Sequence, residues 1–331
     1  MMRRWLLWAL LLPLFCAGFG AGARAQTSSP SCLVDYSDIN FGDNIDILSN
    51  AAIAGVGNVT VQCFGLNAGQ LARVCMGMNP AAFAPNMVNQ VDNVSQLYYD
   101  IFTDAQHTQL WYSQLKKRPF VDVAWTKPTA TIPFYGLIRS GQSTSPVGQY
   151  ADLVKPPFRF FVYSSSATPP GCDASGYDGP LVTLTVRAKI TPNCTFTSQP
   201  KAMDFKDPSG LTTVIRNDLF ATTDLIFSCT TSAPYSVGLS PGNHNPSGGA
   251  TTRRMCRIGD EVNCITYGLY ADAAYGMPWG STDPLASGSN SKPRKASSSG
   301  EKITVYGKMP TPDISPAPGY YSDQITVTVN F

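Results

Sequence analysis

The chain has 331 residues with 24 Lys and Arg, 22 Asp and Glu and two His, a formal charge of +2. So near-neutral a chain carries no electrostatic footprint for nucleic acid or an anionic bilayer. Glu, a strong helix former, occurs only at Glu261 and Glu301. Thr, Val, Tyr, Gly and Pro abound instead, which predicts an all-β chain with many turns.

Residues 1–25 read as an export signal peptide. Arg3 and Arg4 form a basic start, residues 5–19 an apolar run too short to span a bilayer comfortably, and Ala23-Arg24-Ala25 a small-x-small cleavage pattern. Cys16 lacks the small residues expected before a lipoprotein cysteine, and no membrane insertion is expected. Removing the leader leaves 21 cations against 22 carboxylates, about −1.

The remainder is written twice. Residues 97–104, ending at Trp111, recur as 265–272, ending at Trp279; Ile132–Gly136 recurs as Ile303–Gly307, and Gly148–Asp152 as Gly319–Asp323. Repeats of that length are whole domains rather than solenoid units. They predict an N-terminal domain over 26–190 and a C-terminal domain over 191–331. Two stretches alternate with the period of a half-buried strand. One is Val182, Leu184, Val186, Ala188 and Ile190; the other is Ile325, Val327, Val329 and Phe331. Short strands between turns predict two tandem Ig-like antiparallel sandwiches. Residues 281–300, rich in Ser, Gly, Pro and Lys, read as a loop, with Lys292, Arg294 and Lys295 solvated.

Eight cysteines lie beyond the leader, four per repeat, and an even count in an exported chain implies disulfides. Cys32 with Cys63 and Cys194 with Cys229 occupy equivalent places and are paired on that ground. Cys256–Cys264 would close a hairpin and Cys75–Cys172 would tie down a long segment, although sequence alone does not fix connectivity. Zinc ligation lacks partners, since His107 and His244 fall in different repeats.

Further matches are Asn40-Phe41-Gly42, Val61-Gln62-Cys63 and Tyr99–Asp104 in the first repeat. The second supplies Phe227-Ser228-Cys229, Arg254-Met255, Tyr267–Asp272 with Trp279-Gly280, and Gly319–Asp323 running into the terminal strand. In that order, behind a leader, each half resembles a spore coat protein U-like domain, the unit of subunits in archaic (Csu-type) chaperone–usher pili. Lys206, where the first repeat has Gly42, departs from the pattern. A two-domain chain resembles the tip adhesin of such a pilus, whereas a shaft pilin has one domain.

The resemblance implies incomplete sandwiches whose open edge is covered first by a periplasmic chaperone and then by a strand from the neighbouring pilin subunit. It further implies an outer-membrane usher, a location at the pilus tip, and attachment of cells to abiotic or host surfaces in biofilm formation. Gln26–Ser31, all that precedes Cys32 after cleavage, reaches roughly 20 Å without an apolar face, so no N-terminal donor strand is expected. Val182, Leu184, Val186, Ala188 and Ile190 are instead expected to complete the first domain, leaving the second one strand short.

Adhesion is then expected from segments of the first domain that its repeat lacks. The apolar, turn-rich run from Met76 to Val88 contributes Met76, Met78, Phe83, Met87 and Val88, and the next segment Leu110 and Tyr112; Gln142–Pro146 is a third loop. Trp111, aligned with Trp279, is read as structural, and Pro156–Tyr163 as an extra buried strand. The competing readings are a lectin-like module using Tyr98, Tyr99, Asp100 and Trp125, or a secreted coat or matrix protein. No nucleophile elbow, phosphate loop or His-containing metal cluster is present, so neither catalysis nor a cofactor is expected.

Overall fold

A computed structural model describes residues 29–78, 85–111, 114–206, 215, 217–245, 251–280, 291 and 293–331. The expected leader, Phe83, Tyr112 and Lys292 lie outside the described residues. Among those described the structure is all-β, and its helical elements are two 3-10 turns, Ile47–Ser49 and Leu115–Lys117.

Up to Ile190 the strands are β1 (Ser31–Tyr36), β2 (Ile39–Asn40), β3 (Ile53–Phe64), β4 (Gln70–Met76), β5 (Asn86–Asn89) and β6 (Gln96–Phe102). They continue as β7 (Phe120–Ala124), β8 (Thr129–Ile138), β9 (Gly148–Val154), β10 (Phe158–Ser164), β11 (Tyr177–Asp178) and β12 (Leu184–Ile190). From Cys194 they are β13 (Cys194–Phe196), β14 (Leu219–Cys229), β15 (Pro234–Leu239), β16 (Thr252–Arg257) and β17 (Asp260–Tyr270). The last four are β18 (Arg294–Lys295), β19 (Glu301–Met309), β20 (Tyr321–Ser322) and β21 (Val327–Asn330).

The first twelve strands make an eight-stranded sheet, β1-β3-β8-β6-β5-β9-β12-β2, facing a four-stranded one, β11-β10-β4-β7. The rest make a six-stranded sheet, β13-β14-β19-β17-β16-β20, facing β18-β15-β21. Each pair of sheets encloses its own apolar cluster, one drawn from Cys32 to Ile190, the other from Cys194 to Val329 with Val147 against it. Alternation explains the burial: in β3 every second residue from Gly55 to Cys63 points inward.

The internal repeat holds strand for strand. β13, β14, β19, β17, β16 and β20 take the places of β1, β3, β8, β6, β5 and β9, and β18-β15-β21 the places of β7-β4-β10. The aromatic strand expected as an addition to the first unit is therefore β10, the counterpart of the C-terminal β21. Likewise Arg294 and Lys295, expected in a loop, form an edge strand on Pro234 and Tyr235.

All four expected disulfides are present. Cys32 faces Cys63, Cys194 faces Cys229 and Cys256 faces Cys264 across adjacent strands, with Cα atoms 4.1, 4.0 and 4.0 Å apart. That is the spacing of antiparallel pairs that exchange no hydrogen bonds. Cys75–Cys172 ties β4 to the segment between β10 and β11.

Side-chain bonds repeat as well. The Trp111 indole donates to the Met76 carbonyl at 3.0 Å, and the Trp279 indole to the Val237 carbonyl at 2.9 Å. Both rings are buried, which supports the structural reading of Trp111. Trp111→Phe removes that bond and orphans a buried carbonyl, so a loss of about 1–3 kcal/mol is expected in denaturant unfolding at unchanged m-value. An unmoved midpoint would mean that the indole bond contributes nothing.

Candidate functional site

Two places set the units apart: the strand edge beside β9 and β20, and the end of the first unit farthest from the second.

In the first unit β12 lies between β9 and β2. It runs antiparallel to β9, with Leu184 opposite Val154, Val186 opposite Asp152, Ala188 opposite Tyr150 and Ile190 opposite Gly148. On its other side it runs parallel to β2, and the Phe41 and Ile45 N–H groups donate to the Arg187 and Lys189 carbonyls, each at 2.9 Å. Leu184, Val186, Ala188 and Ile190 are all buried, and Val182 is half-buried against the same core. Beneath them Ile39, Phe41, Ile45, Tyr150 and Val154 are buried too.

The second unit has the same floor without the cover. Among the described residues no strand lies on β20's outer side, so it ends the sheet. Phe41 and Ile39 lie against Gly136, and Phe205 and Met203 lie against Gly307, leaving no room for a Cβ on either glycine. Phe205 and Met203 thus stand where Phe41 and Ile39 stand. Both are only half-buried, as are Tyr321, Ile325 and Met255, whereas their counterparts Tyr150, Val154 and Met87 are covered.

A polar pair marks the same point in both floors. Tyr99 donates to the Asp152 carboxylate and Tyr267 to that of Asp323, each at 2.7 Å. Burial, reinforced by the carboxylate, raises both phenols far above their ordinary pKa and keeps them donors. Sequence reading missed Arg253, which is completely buried and donates to the Ser240 and Leu239 carbonyls at 2.8 and 3.1 Å. Its Nη1 has no hydrogen-bond partner, and burial lowers its pKa. Arg253 sits opposite Tyr267, where the first unit has Pro85 bonded to Tyr99. One Arg in the run Thr252-Arg253-Arg254-Met255 gives no sequence sign that it turns inward.

The far end of the first unit follows from β9. Gly148 lies by Ile190, where the chain passes to the second unit, and Val154 is about 20 Å away along the strand. Beyond it Pro157 accepts from Gly77 at 2.8 Å and Pro119 from Met76 at 2.9 Å, which gathers the ends of three connections. Between them lies a surface cavity of about 650 Å³ lined by Thr103, Thr108, Gln109, Leu110, Lys117, Arg118, Pro119 and Phe120.

Of the expected adhesive residues only Leu110 is found exposed at this end, at 41%. Met76 and Met87 are strand residues fully buried in the core, and Met78 is buried beside them. A side chain without exposed surface cannot bind another surface, so these three belong to packing. Val88 is a half-buried residue of β5. Phe83 and Tyr112 fall outside the described residues.

The third loop lies at the opposite end. Val147 donates to the Thr231 carbonyl at 2.9 Å and packs on the second core, so residues 142–146 adjoin the junction. The lectin-like set is dispersed. Tyr99 is bonded to Asp152, Asp100 is held by two bonds from Arg139 at 2.7 and 2.6 Å, and Trp125 adjoins Gln70 of the other sheet.

The Spore Coat Protein U domain model matches residues 21–156 and 181–328. The chain belongs to that family. The second match takes in the whole of β12. No curated protein matches the chain in sequence.

Among solved structures, the chain is similar to the CsuC-CsuE chaperone–tip adhesion subunit pre-assembly complex from archaic chaperone-usher Csu pili of Acinetobacter baumannii. The identity is 15% over 91% of this chain and 100% of that one, with a TM-score of 0.49. The CupB6 tip adhesin of Pseudomonas aeruginosa is 9% identical over 90% and 93%, at 0.38. CfaE, the adhesive subunit of CFA/I fimbria of enterotoxigenic Escherichia coli, is 9% identical over 88% and 92%, at 0.36. Identities and scores this low decide nothing about what the chain does.

Ala188 is the small residue where β12 crosses Tyr150. Ala188→Phe is expected to cost about 1–3 kcal/mol through overpacking, and Lys189→Phe on the exposed outer face within about 0.5. Denaturant midpoints of the two variants check this; equal losses would contradict the inward assignment.

Proposed function

We propose that this protein is the tip adhesin of a chaperone–usher pilus, with residues 26–190 as the adhesive domain and 191–331 as a pilin domain that accepts a donor strand. The observation that carries the reading is β20's unpaired edge beside half-buried Met203, Phe205, Tyr321 and Ile325, where β12 covers the same place in the first unit. An uncovered edge over an apolar floor invites strand addition. A subunit that receives a strand and offers none belongs at a fibre's end. The family membership fits the reading, and so does the second match's inclusion of β12 as a leading strand of the second domain.

On this reading the protein leaves the cytoplasm through its signal peptide, passes a periplasmic chaperone and an outer-membrane usher, and stands at the cell surface. β12 serves as the pattern for the missing strand. The donor would run antiparallel to β20, with large apolar residues near Ile325 and Gly319, a medium one at Asp323 and a small one over Tyr321. Residues 191–331 alone are expected to be insoluble, and a peptide of sequence Leu181–Ile190 supplied in excess to render them monomeric and folded by circular dichroism. The same peptide with Phe in place of Ala188 should rescue poorly. A stable monomer without peptide or chaperone would end the incomplete-domain reading.

Attachment is assigned to the far end of the first domain. Exposed apolar surface there gains roughly 25 cal/mol per Å² on burial, whatever the chemistry of the partner. Leu110 is exposed at that end, and Phe83 and Tyr112 are the aromatic residues of the neighbouring sequence. Phe83→Ser with Leu110→Ser is expected to abolish binding to plastic and biofilm formation while pili still assemble. Met87→Ser is expected to lose secretion instead, because it empties a core position at a cost of about 2–5 kcal/mol. Wild-type attachment by the double variant would remove these residues from the adhesive surface.

A further inference from the structure

The cavity at the far end of the first domain is chemically unlike an apolar contact surface. Leu110, Pro119 and Phe120 form its apolar part, Lys117 and Arg118 bring two cations, and Thr103, Thr108 and Gln109 complete the lining with hydroxyl and amide groups. We infer that it is a binding site for a carboxylate-bearing sugar residue of the uronic acid type. This goes beyond the adhesin reading and does not depend on the second domain.

The apolar wall suits the C–H face of a pyranose. Phe120 is 50% exposed, and the Arg73 guanidinium lies 4.0 Å from its ring centroid. Asp122 in turn holds Arg73 by two bonds of 2.8 and 2.7 Å, so the ring is fixed in place while half of it stays accessible. Leu110 stands on the other side of the wall and is bridged to Phe102 at the base of its loop.

The polar groups are held as firmly. Asp104 accepts from the Thr108 and Gln109 backbone N–H groups at 3.1 and 2.6 Å and from the Thr108 hydroxyl at 2.8 Å. Thr103 donates its hydroxyl to the Gln109 carbonyl at 3.3 Å. With their protons directed into the protein, both hydroxyls retain lone pairs that can accept from sugar hydroxyls. This loop is therefore a prepared acceptor wall, which binding does not have to order.

The cationic part calls for an anion. Lys117 is exposed on a 3-10 turn and Arg118, next to it, is half-buried. Burial first, then the cation of Arg159, lowers the pKa of Arg118, against a smaller opposing effect from Asp178. A guanidinium in such a field gains from an added carboxylate, which matches its planar fork. Behind it the Tyr36 hydroxyl is buried without a hydrogen-bond partner, so the inner wall adds a further polar group. A cavity of about 650 Å³ lies within the range of small-ligand sites. A neutral glycan would leave the cations without a counter-charge, and a bare phosphate would leave the apolar wall unused.

Isothermal titration of the full mature chain with a galacturonic acid tetrasaccharide tests the inference, with its methyl ester and dextran sulfate as companions. Saturable binding of the acid is expected, at least tenfold weaker for the ester. Arg118→Gln and Phe120→Ala should each weaken it at least tenfold, and Lys117→Gln at least threefold. Should Arg118→Gln fail to fold, Lys117→Gln on its exposed turn carries the charge test. Absence of saturable binding, equal binding of acid and ester, or wild-type affinity in both Lys117→Gln and Phe120→Ala would overturn the site. Dextran sulfate binding as tightly per charge, with the same salt dependence, would reduce it to unspecific polyanion attraction and overturn the sugar assignment.

Discussion

A strand edge over an apolar floor cannot be left to water, and the rest of this structure depends on how that edge is closed. In the first domain β12 meets both demands at once: its backbone bonds to β9 and to the segment from Ile39 to Ile45, and its inner side chains fill the floor. In the second, Met203, Phe205, Tyr321 and Ile325 present the same floor half-covered. Unpaired backbone groups and unburied apolar area fall at one place, so a single added strand relieves both. That coincidence makes strand addition a sufficient account of assembly without any further contact.

Around that edge the two domains hold to one plan. The cross-strand cystines, the Tyr–Asp bond in the floor and the indole bound to a carbonyl recur at equivalent positions. They occupy the shared framework, where a change would disturb both sheets. The domains diverge in their connections. Arg253 binds back to Leu239 and Ser240 at the close of β15, where the first domain has Pro85, which has no side-chain donor to offer. The connection that opens the far end of the first domain therefore carries no such tie from that position, consistent with a segment given over to contact with something else.

That end combines two kinds of chemistry. Apolar surface gains from any partner that excludes water, whereas the cations and the acceptor wall about Asp104 gain only from a ligand of matching charge and shape. Side by side they would permit indiscriminate attachment to coexist with selection for acidic saccharides.

The sequence by itself determined the class of fold, the duplication and the four cystines, because each is local or counted: alternation reports a strand, self-similarity a repeated unit, and equivalent cysteines a common pair. It also identified Leu184 to Ile190 as a strand of particular kind, since a period of two persists there without interruption. Only the tertiary structure decided which neighbour each strand has. Alternation says that one face is buried and is silent on what buries it. For that reason β10 read as an addition when β12 was the one, and Met76, Met78 and Met87 read as loop residues when they fill the core. Apolar residues in a turn-rich run look alike whether they face a solvent boundary or a facing sheet, and the inward turn of Arg253 leaves no periodic trace. Burial is a property of the packed sheets, and a linear pattern carries only its projection.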